Sequence, residues 1–372
     1  MSYLTSVPYR AGTRGTSGED PEAVYASFRI PAVVVTGTGT VLAFAEGRHE
    51  SAADTGRIDL VLRRSADGGR TWDDLRVVTS NGSGTAGNPA PVVTAEGRVV
   101  LVHVRNAGTA EERAIIRGKV PDEDGRRVWV QYSDDDGVTW SVPREITAAV
   151  KRPGWRWYAT TPGHALQLRA GRHAGRIVVA GNHTCPPEGP DTGAEPRYNG
   201  GHCLYSDDLG ETWQLGYVDD TSDDYVNPNE TTAAELPDGT VYFNTRTDSR
   251  SPGNRADAVS ADGGATLERR FRPQAGLVAP VVQCSVLHLG TPDVLLFSGP
   301  GHPTARAGMT IRASHDRGVT WRTAHTVDGL PAAYSDLVRL DEDTVGLLYE
   351  TGDFDPYETI TFRRVPLAEL VS

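Results

Sequence analysis

The chain repeats one short pattern, Ser-x-Asp-x-Gly-x-Thr-Trp. It occurs in full at Ser65–Trp72, Ser133–Trp140, Ser206–Trp213 and Ser314–Trp321. A fifth copy, Ser260–Leu267, keeps Ser, Asp, Gly and Thr but ends in Leu. Successive copies start 68, 73, 54 and 54 residues apart. Self-similarity at such a spacing requires a fold built from repeated units. The residue types describe a turn. The Asp can accept bonds from nearby backbone N–H groups, the Gly permits a positive φ, and the Trp packs back onto its own unit. A calcium loop would need several carboxylates in one turn, and Ser65–Trp72 has only Asp67.

Between the copies lie short apolar stretches that read as strands. In Arg57–Arg64, Ile58, Leu60 and Leu62 fall on one face, and Val128–Ser133, Val241–Thr245, Val281–Leu289, Val294–Phe297 and Val345–Tyr349 read similarly. No stretch has the period of a three-turn amphipathic helix. Repeating β units of this size predict an all-β propeller with four strands per blade. Five repeats with room for one more unit predict six blades. The charged stretch Val120–Arg127 reads as a loop. With no low-complexity linker, residues 1–372 are expected to form one domain with a loosely ordered lead over residues 1–20.

The formal net charge of −12 disfavours nucleic acid and anionic membranes as partners. An anionic ligand would need a local positive site, and 35 of the 37 basic residues are Arg, Lys119 and Lys151 being the exceptions. Cys185, Cys203 and Cys284 are odd in number and far apart, unlike a disulfide framework. No Cys-x-x-Cys pair or compact Cys/His cluster marks a zinc site, and no cofactor or metal is expected. Met1–Arg10 lacks the pattern of a signal peptide, so a cytoplasmic location is the simplest expectation, with non-classical secretion left open.

Four segments carry chemistry: Phe28-Arg29-Ile30-Pro31, followed by Ala45-Glu46-Gly47-Arg48 and Asp54; Asn229-Glu230-Thr231-Thr232, with Arg246 sixteen residues after Glu230; Arg306 before the last repeat; and Ala333-Tyr334-Ser335-Asp336, followed by Leu348-Tyr349-Glu350. With the repeats, this order resembles the bacterial and animal exo-α-sialidase (neuraminidase) family over about Ala26 to Arg364. The resemblance implies a six-bladed propeller that removes terminal α-linked sialic acid from oligosaccharides, glycoproteins or glycolipids. It also implies roles. Arg29, Arg246 and Arg306 would grip the sugar carboxylate, with Arg306 placed ahead of Arg312 because it precedes the strand leading into the repeat. Asp54 would be the acid/base, on a loop after the second strand of the first blade. Tyr334 would be the nucleophile, Glu230 its partner base, Glu350 the carboxylate that orients Arg29, and Arg48 a further substrate contact.

The residue types suit that chemistry independently. Arginine offers planar, always-charged, bidentate donors for a carboxylate. Sialic acid carries its carboxylate on the anomeric carbon, so an anionic nucleophile would meet repulsion that a neutral phenol avoids. Glu230 can take the phenol proton. Asp54 would need its pKa raised by partial burial when substrate closes the site. Asn88, in Gly87-Asn88-Pro89, reads equally as a turn or as a contact to the sugar's 4-hydroxyl or acyl group. Trp157 and Tyr158 read as core or pocket lining, Tyr225 as a weak candidate for the pocket floor, and His164 and His183 as structural. Three rival functions share these residues: a hydrolase for deaminated sialic acid (Kdn) or a related ulosonic acid, a trans-sialidase, and a non-catalytic glycan-binding propeller.

Overall fold

The computed structural model describes residues 3–14, 24–192, 199–220, 225–247 and 253–371. The repeats act as hairpin clasps. In the first, Ser65 Oγ donates to Asp67 Oδ1 at 2.7 Å and accepts Gly69 N–H at 2.8 Å. Thr71 donates its N–H and its hydroxyl to Asp67 at 2.9 and 2.7 Å. Gly69 has φ +83°, and a Cβ there would lie 2.1 Å from the Phe362 ring, so both backbone and space demand glycine. The degenerate copy makes the same bonds: Gly264 N–H reaches Ser260 Oγ at 2.8 Å, and Thr266 holds Asp262 at 2.8 and 2.7 Å. The Leu267 departure thus leaves the polar clasp intact.

Each clasp follows the third strand of an antiparallel sheet. The sheets are Tyr158–Thr160, Ile177–Thr184, Asn199–Ser206 and Gln214–Asp219; Pro228–Glu235, Val241–Thr247, Arg255–Ser260 and Arg269–Pro273; Ser285–His288, Leu295–Pro300, Met309–Ser314 and Arg322–Thr326; and Ala332–Arg339, Thr344–Thr351, Thr359–Pro366 and Thr5–Arg10. Leu166–Gln167 adds a short fifth strand to the first of these. The strands from Ser27 to Glu145 form one eight-stranded sheet, not two separate ones, because a single parallel pair, Ile58 with Thr85, joins its halves. The last sheet has no clasp because its outer strand, Thr5–Arg10, comes from the other end of the chain and pairs antiparallel with Thr359–Pro366.

The leading strands of the sheets pack around one axis. Ser27–Val35 lies against Thr85–Val93 on one side and Ala332–Arg339 on the other, and Pro228–Glu235 and Ser285–His288 continue the ring. This is an all-β propeller arrangement. Strands between neighbouring sheets are covered on both faces. Leu60 and Leu62 pack with Phe44 and Leu101, while Val61 packs with Tyr9, Phe28 and Phe362. The one-faced alternation expected for Arg57–Arg64 is therefore replaced by burial of both faces.

Two expectations change. The lead is not loose throughout: Thr5–Arg10 is a strand, with Tyr9 1% exposed and its hydroxyl donated to Ala43 O at 2.6 Å. Residues 1–2 and 15–20 of the lead lie outside the described residues. The strand expected at Val281–Leu289 is confined to Ser285–His288, and Val281 O instead accepts Arg306 Nη2 at 3.3 Å. The α-helices, Glu112–Ile116, Thr147–Val150 and Leu367–Val371, are short, and none of the described helices is long and apolar enough to cross a membrane.

Candidate active site

Four of the leading strands slip out of register with their partners at one end. The irregularities fall between Arg29 and Ala32, Gly87 and Ala90, Pro228 and Thr231, and Ala332 and Ser335. Bulges re-aim side chains, and these re-aim Arg29, Asn88, Glu230 and Tyr334 into one pocket. Two of the four follow from an X-Pro pair, since proline cannot donate to the ladder. Ile30, before Pro31, has φ +61°, and Asn88, before Pro89, has φ +53°. A β-branched residue with positive φ is strained, and Ile30 is tied down by its N–H, which donates to Glu350 Oε1 at 2.9 Å.

The pocket encloses about 150 Å³. Arg29, Arg48, Asp54, Asn88, Glu230, Arg246, Arg306 and Tyr334 all line it. Glu350 does not reach it. This fully buried carboxylate sits behind Arg29, accepting Nε at 2.8 Å and Nη2 at 3.3 Å, and also Tyr334 N–H at 3.1 Å. Burial by itself would lower the Arg29 pKa, but the Glu350 charge outweighs it and holds the guanidinium above its ordinary value.

Three guanidiniums converge on Tyr334. The Arg29 and Arg306 carbons lie 5.2 and 5.6 Å from its ring centre, and Arg246 Nη1 lies 3.2 Å from its hydroxyl. The hydroxyl donates to Glu230 Oε1 in a short bond, and Glu230 Oε2 accepts Arg246 Nη1 at 2.7 Å. Burial and then the Glu230 charge push the phenol pKa well above its ordinary value. Arg306 is further held by Tyr357, whose hydroxyl accepts Nη1 at 2.6 Å. Arg312 instead lies on the strand Met309–Ser314 beside Phe297, away from the pocket lining.

On the opposite wall, Arg48 Nη2 binds Asp54 Oδ1 at 2.7 Å and Glu46 Oε2 at 2.6 Å. Asp54 is 56% exposed, and its pKa is lowered. Partial burial acts upward, but Arg48 and then Arg29 outweigh it and favour the ionised form. Asn88 N–H donates to Glu46 Oε1 at 2.8 Å, and Asn88 Oδ1 accepts Arg126 Nη1 at 2.9 Å.

Arg126, Glu46, Glu112 and Tyr357 are absent from the sequence-derived set. Arg126 is 4% exposed and its guanidinium lies 3.9 Å over the Trp157 ring. It lies within Val120–Arg127, which reads as a charged loop, and only the fold carries it inward. Glu46 stands two residues before Arg48, a neighbour in sequence that could have suggested the pair. Trp157 lines the pocket, whereas Tyr158 is fully buried in an apolar cluster and Tyr225 is exposed. His164 is structural, its ring nitrogen 2.7 Å from Asp336. With Arg29, Arg48, Arg126, Arg246 and Arg306 set among Glu46, Asp54, Glu112, Glu230 and Glu350, an acidic chain concentrates cationic donors on one small cavity.

Residues 39–349 match the BNR repeat-like domain. The chain is 36% identical over 352 residues to a sialidase of Micromonospora viridifaciens, covering 88% of this chain and 50% of that protein. It is 30% identical over 381 residues to an exo-alpha-sialidase of Aspergillus fumigatus, covering 93% and 85%. Among solved structures, the Hadza microbial sialidase Hz136 aligns with a TM-score of 0.79 at 29% identity, over 93% of this chain and 67% of that one. The chain thus spans half the length of the Micromonospora protein and most of the Aspergillus one.

Proposed function

The chain belongs to the sialidase family, and from that premise we propose that it is an exo-acting, retaining α-sialidase whose nucleophile is Tyr334. The observation that carries this reading is the convergence of Arg29, Arg246 and Arg306 around a tyrosine whose hydroxyl already donates to a carboxylate. Arg29, Arg246 and Arg306 take the carboxylate of the sugar. Glu230 accepts the Tyr334 proton as the phenol oxygen attacks the anomeric carbon. Asp54 protonates the departing glycosidic oxygen. In the second half, Asp54 takes a proton from water, the water oxygen attacks the anomeric carbon, and Tyr334 leaves and recovers its proton from Glu230. Two inversions give net retention.

The state of Asp54 fits this order. Its pKa is depressed by Arg48 and Arg29. A bound carboxylate engages Arg29 and displaces water, and both changes favour the protonated acid. Asn88 spends its carbonyl oxygen on Arg126, which leaves its amide N–H₂ for a sugar hydroxyl or acyl oxygen. Arg48 bridges Asp54 and Glu46, and so positions the acid as well as meeting substrate.

The eight-stranded sheet divides into two four-stranded halves at its single parallel pair. Counted that way, six leading strands surround the axis, which supports the reading of six blades. The pairing of Thr5–Arg10 with Thr359–Pro366 supports one catalytic domain. Substrates are sialylated oligosaccharides, glycoproteins or glycolipids. Paired assays on fluorogenic α-glycosides of N-acetylneuraminic acid and of Kdn test the reading. Release from the first is expected. Release from Kdn alone would overturn the substrate, and release from neither would overturn the enzyme.

A further inference from the structure

Away from the pocket, the sheet that carries Trp157 has a second cluster. His183 and Cys185 lie on and just past the strand Ile177–Thr184, and Asp220 lies just past Gln214–Asp219. Those two strands flank Asn199–Ser206. The cluster therefore crosses over the end of the strand between them. His183 Nε2 is 2.5 Å from Asp220 Oδ1, and Cys185 Sγ is 3.7 Å from the same oxygen.

The strand beneath is shaped for this crossing. Gly200 stands opposite His183 in register. A Cβ at Gly200 would lie 2.5 Å from both His183 Nε2 and Asp220 Oδ1. Its φ is not in the left-handed region, so space rather than backbone conformation requires glycine there. The His183 ring is fully buried, stacked on Trp155 with centroids 3.5 Å apart, and its Nδ1 is 3.0 Å from His202 Nδ1. Such a partner fixes ring orientation and can accept a proton held on Nδ1 while Nε2 binds an ion.

We propose that His183 Nε2, Cys185 Sγ and Asp220 Oδ1 bind one divalent transition-metal ion of the zinc class, with water as the fourth ligand. The three ligand atoms lie within 4.8 Å of one another. A tetrahedral ion with bonds of about 2.0–2.3 Å needs only small side-chain shifts to be held by them. The mixed nitrogen, sulfur and oxygen set selects this class, whereas calcium would require six or more oxygens. On binding, the Cys185 S–H bond breaks, the sulfur–metal bond forms and that proton goes to solvent, while the His183 proton facing Asp220 leaves Nε2 and Nδ1 takes up a proton that His202 Nδ1 accepts. Arg152, 4.0 Å from the other Asp220 oxygen, is 54% exposed. Asp220 is distant from His183 in the chain and meets it only through the sheet, so the sequence does not mark the three as one group.

Titration of the metal-stripped protein with Co²⁺ tests the site. One equivalent is expected to give visible bands of tetrahedral cobalt and a near-ultraviolet thiolate charge-transfer band, both removed by Zn²⁺. Cys185→Ser should abolish the charge-transfer band while keeping the wild-type circular dichroism spectrum. Gly200→Ala keeps all three ligands but fills the space beneath them, and should weaken binding about tenfold or more. No one-equivalent band, or an unchanged charge-transfer band in Cys185→Ser, would overturn the site. None of these readouts depends on glycosidase activity.

Discussion

Tyr334→Phe is expected to lower kcat by at least about 10³-fold while leaving KM within a few-fold of wild type. The substitution removes one oxygen and nothing else from the grip on the substrate. Arg29, Arg246 and Arg306 remain, and the aromatic ring that the guanidiniums surround is preserved. Glu230 loses the Tyr334 hydroxyl but keeps Arg246 at 2.7 Å. Loss of that buried bond costs about 1–2 kcal/mol of stability, so the variant should fold. Steady-state kinetics on an aryl sialoside, with NMR of the first-formed anomer, measure both parts. Any residual turnover is expected to lose stereochemical retention. Wild-type kcat with retained configuration would remove Tyr334 from the mechanism.

The second large effect concerns a residue that never meets the substrate. Glu350→Ala strips the acceptor from Arg29 and from the N–H groups of Ile30 and Tyr334. Arg29 would be left nearly buried, its side chain 6% exposed, with the more distant Asp54, 3.9 Å away, as its remaining carboxylate. Breaking a buried pair from one side costs about 3–5 kcal/mol, since the remaining charge stays desolvated. Ile30 would also lose the bond that holds its strained φ. The free energy of unfolding in urea should fall by about that amount. KM should rise about 100-fold, because a guanidinium displaced by an ångström no longer meets the substrate carboxylate. Glu350→Gln keeps one acceptor oxygen and should lie between Ala and wild type in both measurements. Loss of stability with unchanged KM would mean that Glu350 is only a core brace.

What was legible in the chain follows from how local each signal is. The Ser-x-Asp-x-Gly clasps are complete within eight residues, so their turns can be read directly, even where Leu267 replaces Trp. Arg29 and Asn88 are marked by the proline that follows within two residues and forces the bulge. Arg126 carries no such mark. It reaches the pocket by stacking on Trp157 and bonding Asn88, both distant in sequence. The strand Thr5–Arg10 was missed for the same reason, since its partner lies at the far end of the chain. Asp54 shows a different gap. Its loop position was readable, but the sign of its pKa shift depends on how closely Arg48 and Arg29 approach, which only the fold sets.

The central claim is that Tyr334, held between Glu230 and three arginines, becomes covalently bonded to the sugar. A 2,3-difluorinated sialic acid tests it directly, because its fluorines slow breakdown of the adduct more than its formation. After brief incubation, peptide mapping by mass spectrometry should place a single sugar on the peptide containing Tyr334, on the phenol oxygen. An adduct on Asp54 or Glu230 instead would contradict the account.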